Sequence, residues 1–408
     1  MKFATKIALT VCALVGLAMP AWADLNEQAL RNAARDFSVP EQPPQPAPAS
    51  DEEIALGRML FENKALSLGG DISCRDCHLD QFGSADGLPN AIGVGGIGAG
   101  NDRLQSGGRI VPRNTLPFWG RGSPGFSVFF WDGKVEVTDQ GIRSQFGDQE
   151  PSDDPLVVAA HLPVTEFSEM LNDNPQDDAS QFEQETVSAA DALYQRITTA
   201  LMTSPRVQDA MRDVYGLDPD QVRYRHVAQA IATFIRQEFR LRDTRFQRFL
   251  RSEENLSEAE LKGGLIFFGK GRCAVCHQGA YFSDFDFHPV PFPQVGFGKN
   301  GFGVDYGRFN VTHDPDDLYA FRTPPLINVS QTAPYGHAGA LPTMADAVRA
   351  HSDPLALIKS QQMTPLERHE FFKRMMAAEK IRPLINFLSE EDITAVVAFL
   401  KTLDLVKD

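Results

Sequence analysis

Cys74-Arg75-Asp76-Cys77-His78 sets two thiols three positions apart with a histidine directly after the second, and Cys273-Ala274-Val275-Cys276-His277 repeats the pattern. This is the attachment signature of a c-type haem. The spacing follows from the chemistry: two sulfurs form thioethers to the porphyrin edge, and the adjacent imidazole is then held under the ring, where it binds iron. Two covalent haem c groups are therefore expected, one on Cys74, Cys77 and His78, the other on Cys273, Cys276 and His277. Two Cys-x-x-Cys pairs could also build a four-thiolate zinc site, but a histidine after both pairs speaks against it.

Upstream, residues 1–23 combine Lys2 and Lys6, an apolar run from Ile7 to Met19, and Ala21-Trp22-Ala23. That is the layout of a cleaved export signal. The run is shorter than the roughly 20 apolar residues of a spanning helix, so no membrane span is expected after cleavage, and the expected location is the periplasm. Cleavage removes Cys12 and leaves thiols only in the two haem signatures, with none for a disulfide. The formal net charge of -15 becomes about -17 once Lys2 and Lys6 are lost, with 37 basic against 54 acidic residues. Such a chain lacks the cationic footprint of a nucleic-acid binder. A cationic redox partner could be steered by the field.

The length and the two signatures predict two haem domains, 51–250 and 251–408, after a Pro-rich connector over 24–50 that opens with a short helix, 24–37. Ser50 and Glu53 read as a capping box for a helix over 51–62, and Ser257 and Glu260 repeat the device before an apolar run that ends at Gly269-Lys270-Gly271. Each helix leads into a haem signature, as duplicated cytochrome c domains would. Residues 83–125 are glycine-rich without helical period and read as a long ordered loop. Helical patterns follow at about 136–146, 153–161 and 166–172. A polar stretch occupies 172–185, and the helical period returns over 189–202 and 220–250. Residues 281–329 read as irregular with short strands, and helices close the chain at 343–351, 364–379 and 390–402. The fold class is mostly α, two cytochrome c-like haem domains with long irregular loops and few short strands.

Between and after the haem signatures the chain carries, in order, Gly87-Leu88-Pro89, Ala91-Ile92-Gly93, Arg113-Asn114, Phe130-Trp131-Asp132-Gly133-Lys134, Pro163 with Glu169-Met170, Phe321-Arg322-Thr323-Pro324-Pro325-Leu326-Ile327-Asn328 and Thr332-Ala333-Pro334-Tyr335-Gly336-His337. From about 50 to 403 this ordered set resembles the di-haem cytochrome c peroxidase family and its MauG-like branch. The resemblance implies that the N-terminal haem reacts with hydrogen peroxide and the C-terminal haem stores and relays electrons. Family members that need reductive activation carry a histidine after the Ala-Ile-Gly segment. Here Val94 stands there, so the first iron is expected to keep an open distal side, with a distant His161 as the alternative ligand. Glu169, six residues beyond Pro163, matches the family's acid/base glutamate, with Glu166 in reserve.

Fourteen residues after His337 the family places the second haem's sixth ligand, and that position is His351. A methionine such as Met344 is the alternative. Trp131 matches the tryptophan between the haems, and Asn114, Thr332 and Pro334 match an oxygen-only set for an interdomain calcium. The expected electron source is a small cytochrome c or cupredoxin, or else a residue on a partner protein in the MauG-like mode; a plain di-haem electron carrier is the non-catalytic reading, and a homodimer is the candidate assembly. Gly93 to Gly98 imitates a dinucleotide fingerprint but lacks its strand and helix context.

Overall fold

Short polar side chains start the helices where backbone partners run out. Ser257 and Ser389 each cap a helix reciprocally, with Glu260 and Asp392 reaching back. Ser50 accepts the Glu53 N–H at 3.1 Å, but Glu53 does not complete the expected box. Its carboxylate instead accepts from the hydroxyls of Tyr215 at 2.9 Å and Thr233 at 3.1 Å, so it ties its helix to two later ones.

The structure is a computed structural model that describes residues 22–171, 187–358, 361, 363–382 and 386–406. Residues 1–21 of the expected leader and the polar stretch 172–185 lie outside the described residues, whereas Trp22 and Ala23 open the first helix. Among those described, the helices are α1 (Trp22–Asp36), α2 (Asp51–Phe61), α3 (Asn101–Gln105), α4 (Pro155–His161), α5 (Val187–Leu201), α6 (Pro205–Tyr215), α7 (Tyr224–Glu238), α8 (Arg245–Leu250), α9 (Glu258–Phe268), α10 (Phe309–Thr312), α11 (Met344–Ser352), α12 (Pro365–Ala378) and α13 (Glu390–Leu400). None is long and apolar enough to cross a membrane. The strands are short and antiparallel: β1 (Ala91–Ile92) with β2 (Ile110–Val111), β3 (Val128–Phe129) with β4 (Val135–Thr138) and β5 (Gly141–Arg143), β6 (Phe287–His288) with β9 (Phe321–Arg322), and β7 (Phe297–Gly298) with β8 (Gly301–Phe302). The mostly α expectation holds.

Two helix groups carry the packing. α7 gathers α2, α4 and α5, while α9 gathers α1 and α13. The repeat seen in the sequence has a structural counterpart, because each haem-side helix crosses its partner through a glycine. A Cβ on Gly57 of α2 would lie 2.0 Å from the Ala230 carbonyl oxygen of α7, and one on Gly263 of α9 would lie 1.9 Å from that of Ala395 in α13. Close crossing of this kind leaves no room for a side chain. Both signatures then open with the same 3-10 turn, Cys74–Asp76 and Cys273–Val275.

Besides the short helices α3 and α10 inside stretches read as irregular, three segments depart from the expectations. Residues 136–146 are not helical, because Val135-Glu136-Val137-Thr138 alternates β-branched residues and Gly141 takes a positive φ of 114° at the turn, making the β4–β5 hairpin. Residues 166–171 form a turn rather than a helix, since the N–H groups of Glu169, Met170 and Leu171 all converge on the Glu166 carbonyl. α6 is additional, and Ser204-Pro205 at its start and Gly216 with φ 66° at its end are its signals.

Candidate functional site

Two large cavities meet at Trp131, which lines both. The first, with ≈ 1400 Å³ of empty space including its mouth, is lined by Cys74, Cys77, His78, Arg121, Trp131 and Glu169 among others. The second, ≈ 1670 Å³, is lined by Cys273, Cys276, His277, Arg322, His351 and again Trp131. Each Cys pair has its own cavity, and among the described residues the four sulfurs do not converge on one point, which removes the zinc alternative.

The motif histidines are held alike. His78 Nδ1 lies 2.8 Å from the Ser84 carbonyl and His277 Nδ1 2.9 Å from that of Phe282. A carbonyl there fixes the tautomer and leaves Nε2 for a metal. Phe118 stacks on His78 at 3.9 Å and fixes the ring plane. Each cavity also has a buried arginine without a carboxylate partner. Arg121 donates to the carbonyls of Pro117 and Leu116, Arg322 donates to that of Val128 while its Nε has no partner, and burial pulls both guanidinium pKa values down to about 9. Two sulfurs, an oriented imidazole, mainly apolar walls and a guanidinium awaiting an anion suit a covalently held macrocycle with carboxylate arms, so the residues fit haem c in both cavities.

Among the described residues His78 is the only histidine in the first wall. His161 is outside it, with Nδ1 2.7 Å from the Val157 carbonyl and its ring edge-on to Phe146, Tyr194 and Tyr224. Val94 is buried. Glu169 lines the wall and is half-buried. Burial pushes its carboxyl pKa up, Glu166 adds to that, and Lys299 with Lys134 offsets part of it, leaving it at about 7. Glu166 differs. Burial is outweighed by its ion pairs with Lys134 and Lys299, which pull its carboxyl down to about 2.

Gly93 explains how the loop before Val94 meets this turn. A Cβ there would lie 1.9 Å from the Ser168 carbonyl oxygen and 2.9 Å from Glu169 Cα. The glycine run that follows wraps a buried arginine, with Arg103 donating to the carbonyls of Ile92, Gly96 and Gly93 at 2.7, 2.9 and 3.0 Å.

In the second cavity the rings of His277 and His351 stand edge-on, inclined at 71°, with centroids 6.3 Å apart, and His351 Nδ1 lies 2.8 Å from the Ala347 carbonyl. Met344 shares that wall. His337 stacks on Phe321 at 3.8 Å and bonds Gln294 at 2.9 Å. Trp131 stands in the walls of both cavities, and its Nε1 donates to the Asn114 carbonyl at 2.9 Å. Asn114, Thr332 and Pro334 all line the second cavity, and the Asn114 amide nitrogen donates to Leu88, leaving Oδ1 as its free oxygen.

The segment around Trp131 is gripped from the other half of the chain. Arg113 forks between Asp132 at 2.5 Å and Asp305 at 2.8 and 2.9 Å, all three buried. Burial opposes the charge on Arg113, and the two carboxylates more than offset it. Arg308 donates to the carbonyls of Asp132 and Gly133 and to Glu136.

The profile of the di-haem cytochrome c peroxidase family matches residues 51–255. The chain belongs to that family. The methylamine utilization protein MauG of Methylorubrum extorquens is 28% identical over 388 residues, covering 93% of this chain and 89% of its own. Cytochrome c peroxidase of Escherichia coli is 29% identical over 316 residues, 76% of this chain and 55% of its own. The crystal structure of a MauG-like protein associated with microbial copper homeostasis shares the fold, with a TM-score of 0.65 at 24% identity over 89% of this chain and 93% of that one.

As a di-haem cytochrome c peroxidase family member the chain is an oxidoreductase, and haem c is its implied cofactor. Sequence reasoning missed Phe118, Arg121 and Lys299, which carry no local signature. Lys299 reaches the first cavity across 133 positions to pair with Glu166.

Proposed function

We propose an exported, periplasmic di-haem peroxidase with haem domains at 51–250 and 251–408 that reduces hydrogen peroxide to two waters with two protons and two electrons from a small cytochrome c or cupredoxin. A haem c in each cavity supplies a redox iron, held by Cys74, Cys77 and His78 in the first and by Cys273, Cys276, His277 and His351 in the second. The observation that carries the reading is Glu169, a half-buried carboxyl in the first cavity wall, where His78 is the only histidine among the described residues.

A carboxyl that titrates near neutrality takes a proton from one peroxide oxygen and returns it to the other, the transfer that O–O cleavage requires. His78 positions the cofactor, and the apolar wall excludes bulk water. His277 and His351 share the second cavity wall with ring centroids 6.3 Å apart, and each turns Nδ1 to a carbonyl and leaves Nε2 for a metal, which supports His277 and His351 over Met344 as the residues that would hold the second iron. Trp131, common to both walls, is the connection for oxidising equivalents. The Asn114, Thr332 and Pro334 oxygens suit a calcium ion.

A second reading, peroxide-driven oxidation of residues on a partner protein, is favoured by His351 in place of methionine and by the near full-length similarity to MauG. Glu169→Gln tests the common core: the peroxide-induced change in the haem spectrum is lost while haem content stays at wild type. An unchanged rate excludes Glu169. Steady-state turnover with reduced cytochrome c separates the two readings.

A further inference from the structure

We propose that Glu166 is a positioning residue whose two ion pairs, to Lys134 and to Lys299, fix the place and the charge surroundings of Glu169, so that a lysine from the second half of the chain governs the proton carrier of the first cavity. This rests on the reading of Glu169 given above.

The backbone makes Glu166 the hub of the turn. Its carbonyl accepts from the N–H groups of Glu169, Met170 and Leu171 at 3.1, 3.0 and 3.1 Å. Its side chain is pulled from two sides, Oε1 accepting from Lys134 and Oε2 from Lys299 at 3.0 Å. Lys134 ends the Trp131-containing segment. Lys299 belongs to the β7–β8 hairpin, and its own N–H donates to Asp305 at 3.2 Å, the carboxylate that also holds Arg113. Both arms of the clamp are thus anchored in the buried Arg113 fork, and the turn that carries Glu169 cannot shift without breaking an ion pair.

The charge balance gives the clamp a second effect. The charged groups acting on Glu169 are Glu166, Lys134 and Lys299. The loop packed at Gly93 and Val94 encloses the Arg103 guanidinium, which is unchanged in every variant compared below, and Cys74 and Cys77 on the cofactor side carry no charge as thioethers. The three sum to one positive charge. Removing Lys299 leaves zero, and removing the Glu166 charge leaves two positives. The proton affinity of Glu169 must therefore rise in the first case and fall in the second, whereas a merely structural brace would loosen the turn in both and let the carboxyl drift down toward its solvent value in both.

The test is an infrared titration of the Glu169 carboxyl band in the haem-loaded protein without peroxide, with Glu169→Gln identifying the band. Lys299→Met is expected to raise the midpoint by about one pH unit. Lys134→Met, which removes the same charge from the other side, raises it also, Glu166→Gln lowers it by a similar amount, and Lys299→Arg restores the wild-type value. A midpoint that stays or falls in both lysine-to-methionine variants overturns the proposal. Because the band is read without turnover, an intact peroxide reaction in Glu169→Gln would sink the acid/base reading and leave the clamp still measurable.

Discussion

Gly93→Ala offers the sharpest test of how the first cavity is built. The added Cβ would sit 1.9 Å from the Ser168 carbonyl oxygen and 2.9 Å from both the Cα and the carbonyl oxygen of Glu169, and real Cβ contacts essentially never fall below 3.0 Å. Loop and turn must part by about 1.1 Å at that oxygen merely to reach 3.0 Å. The φ of Gly93 is not positive, so the backbone itself admits alanine and the effect is one of space. The hydrogen bond from the Val94 N–H to the Ser168 carbonyl, 3.3 Å in the wild type, breaks first. A reacting group misplaced by about 1 Å costs on the order of 10²-fold in rate, or about 2.7 kcal/mol of barrier, and overpacking costs about 1–3 kcal/mol of stability. Stopped-flow mixing of the haem-loaded variant with peroxide should show that rate loss, with haem content and the second haem's spectrum unchanged. A rate within twofold of wild type would refute the claim that this close approach seats Glu169.

Other outcomes follow from the same geometry. His351→Ala should alter the low-spin haem signal in electron paramagnetic resonance and leave the first haem's signal in place; an unaltered spectrum would return the sixth position to Met344 or another group. Arg113→Leu strands the buried carboxylates of Asp132 and Asp305 and should lower unfolding stability by about 3–5 kcal/mol, measured by denaturant titration of the haem-loaded protein. With Glu169 near 7 and needed as its ionised form, the peroxide rate should climb through pH 7 and level off above it; a flat profile between pH 6 and 8 would exclude this assignment. Glu166 has its carboxyl depressed from 4.5 to about 2, so the stability it adds is complete above 4.5 and is lost as pH falls toward 2.

Much of the molecule is legible along the chain because its signals are local. A Cys-x-x-Cys-His run, a serine cap and an apolar helix face announce themselves within a few residues, and the helices at 51–61 and 258–268 lie where those signals put them. The segment 136–146 reads as helix because apolar positions near a helical period hide the Val-x-Val alternation and the turn at Gly141. The turn at 166–171 escapes the sequence for a different reason: its shape is dictated by partners at 134 and 299, which no local window contains. Arg121 and Arg322 belong to the same class, since a buried guanidinium becomes informative only when its surroundings are known to lack a carboxylate.

The grip of residues 299–308 on the Trp131 segment also sets a schedule for making the protein. A nascent chain released through residue 250 already holds Cys74, Cys77, His78 and Glu169, every side chain assigned to peroxide chemistry. It has neither Lys299 to pair with Glu166 nor Asp305 and Arg308 to engage Arg113, Asp132 and Gly133. On the proposed assignment the first cavity is therefore written early and finished late, since the turn that carries Glu169 gains its Lys299 arm, and the Trp131 segment its Asp305 and Arg308 grip, only once the second half of the chain has been synthesised and docked.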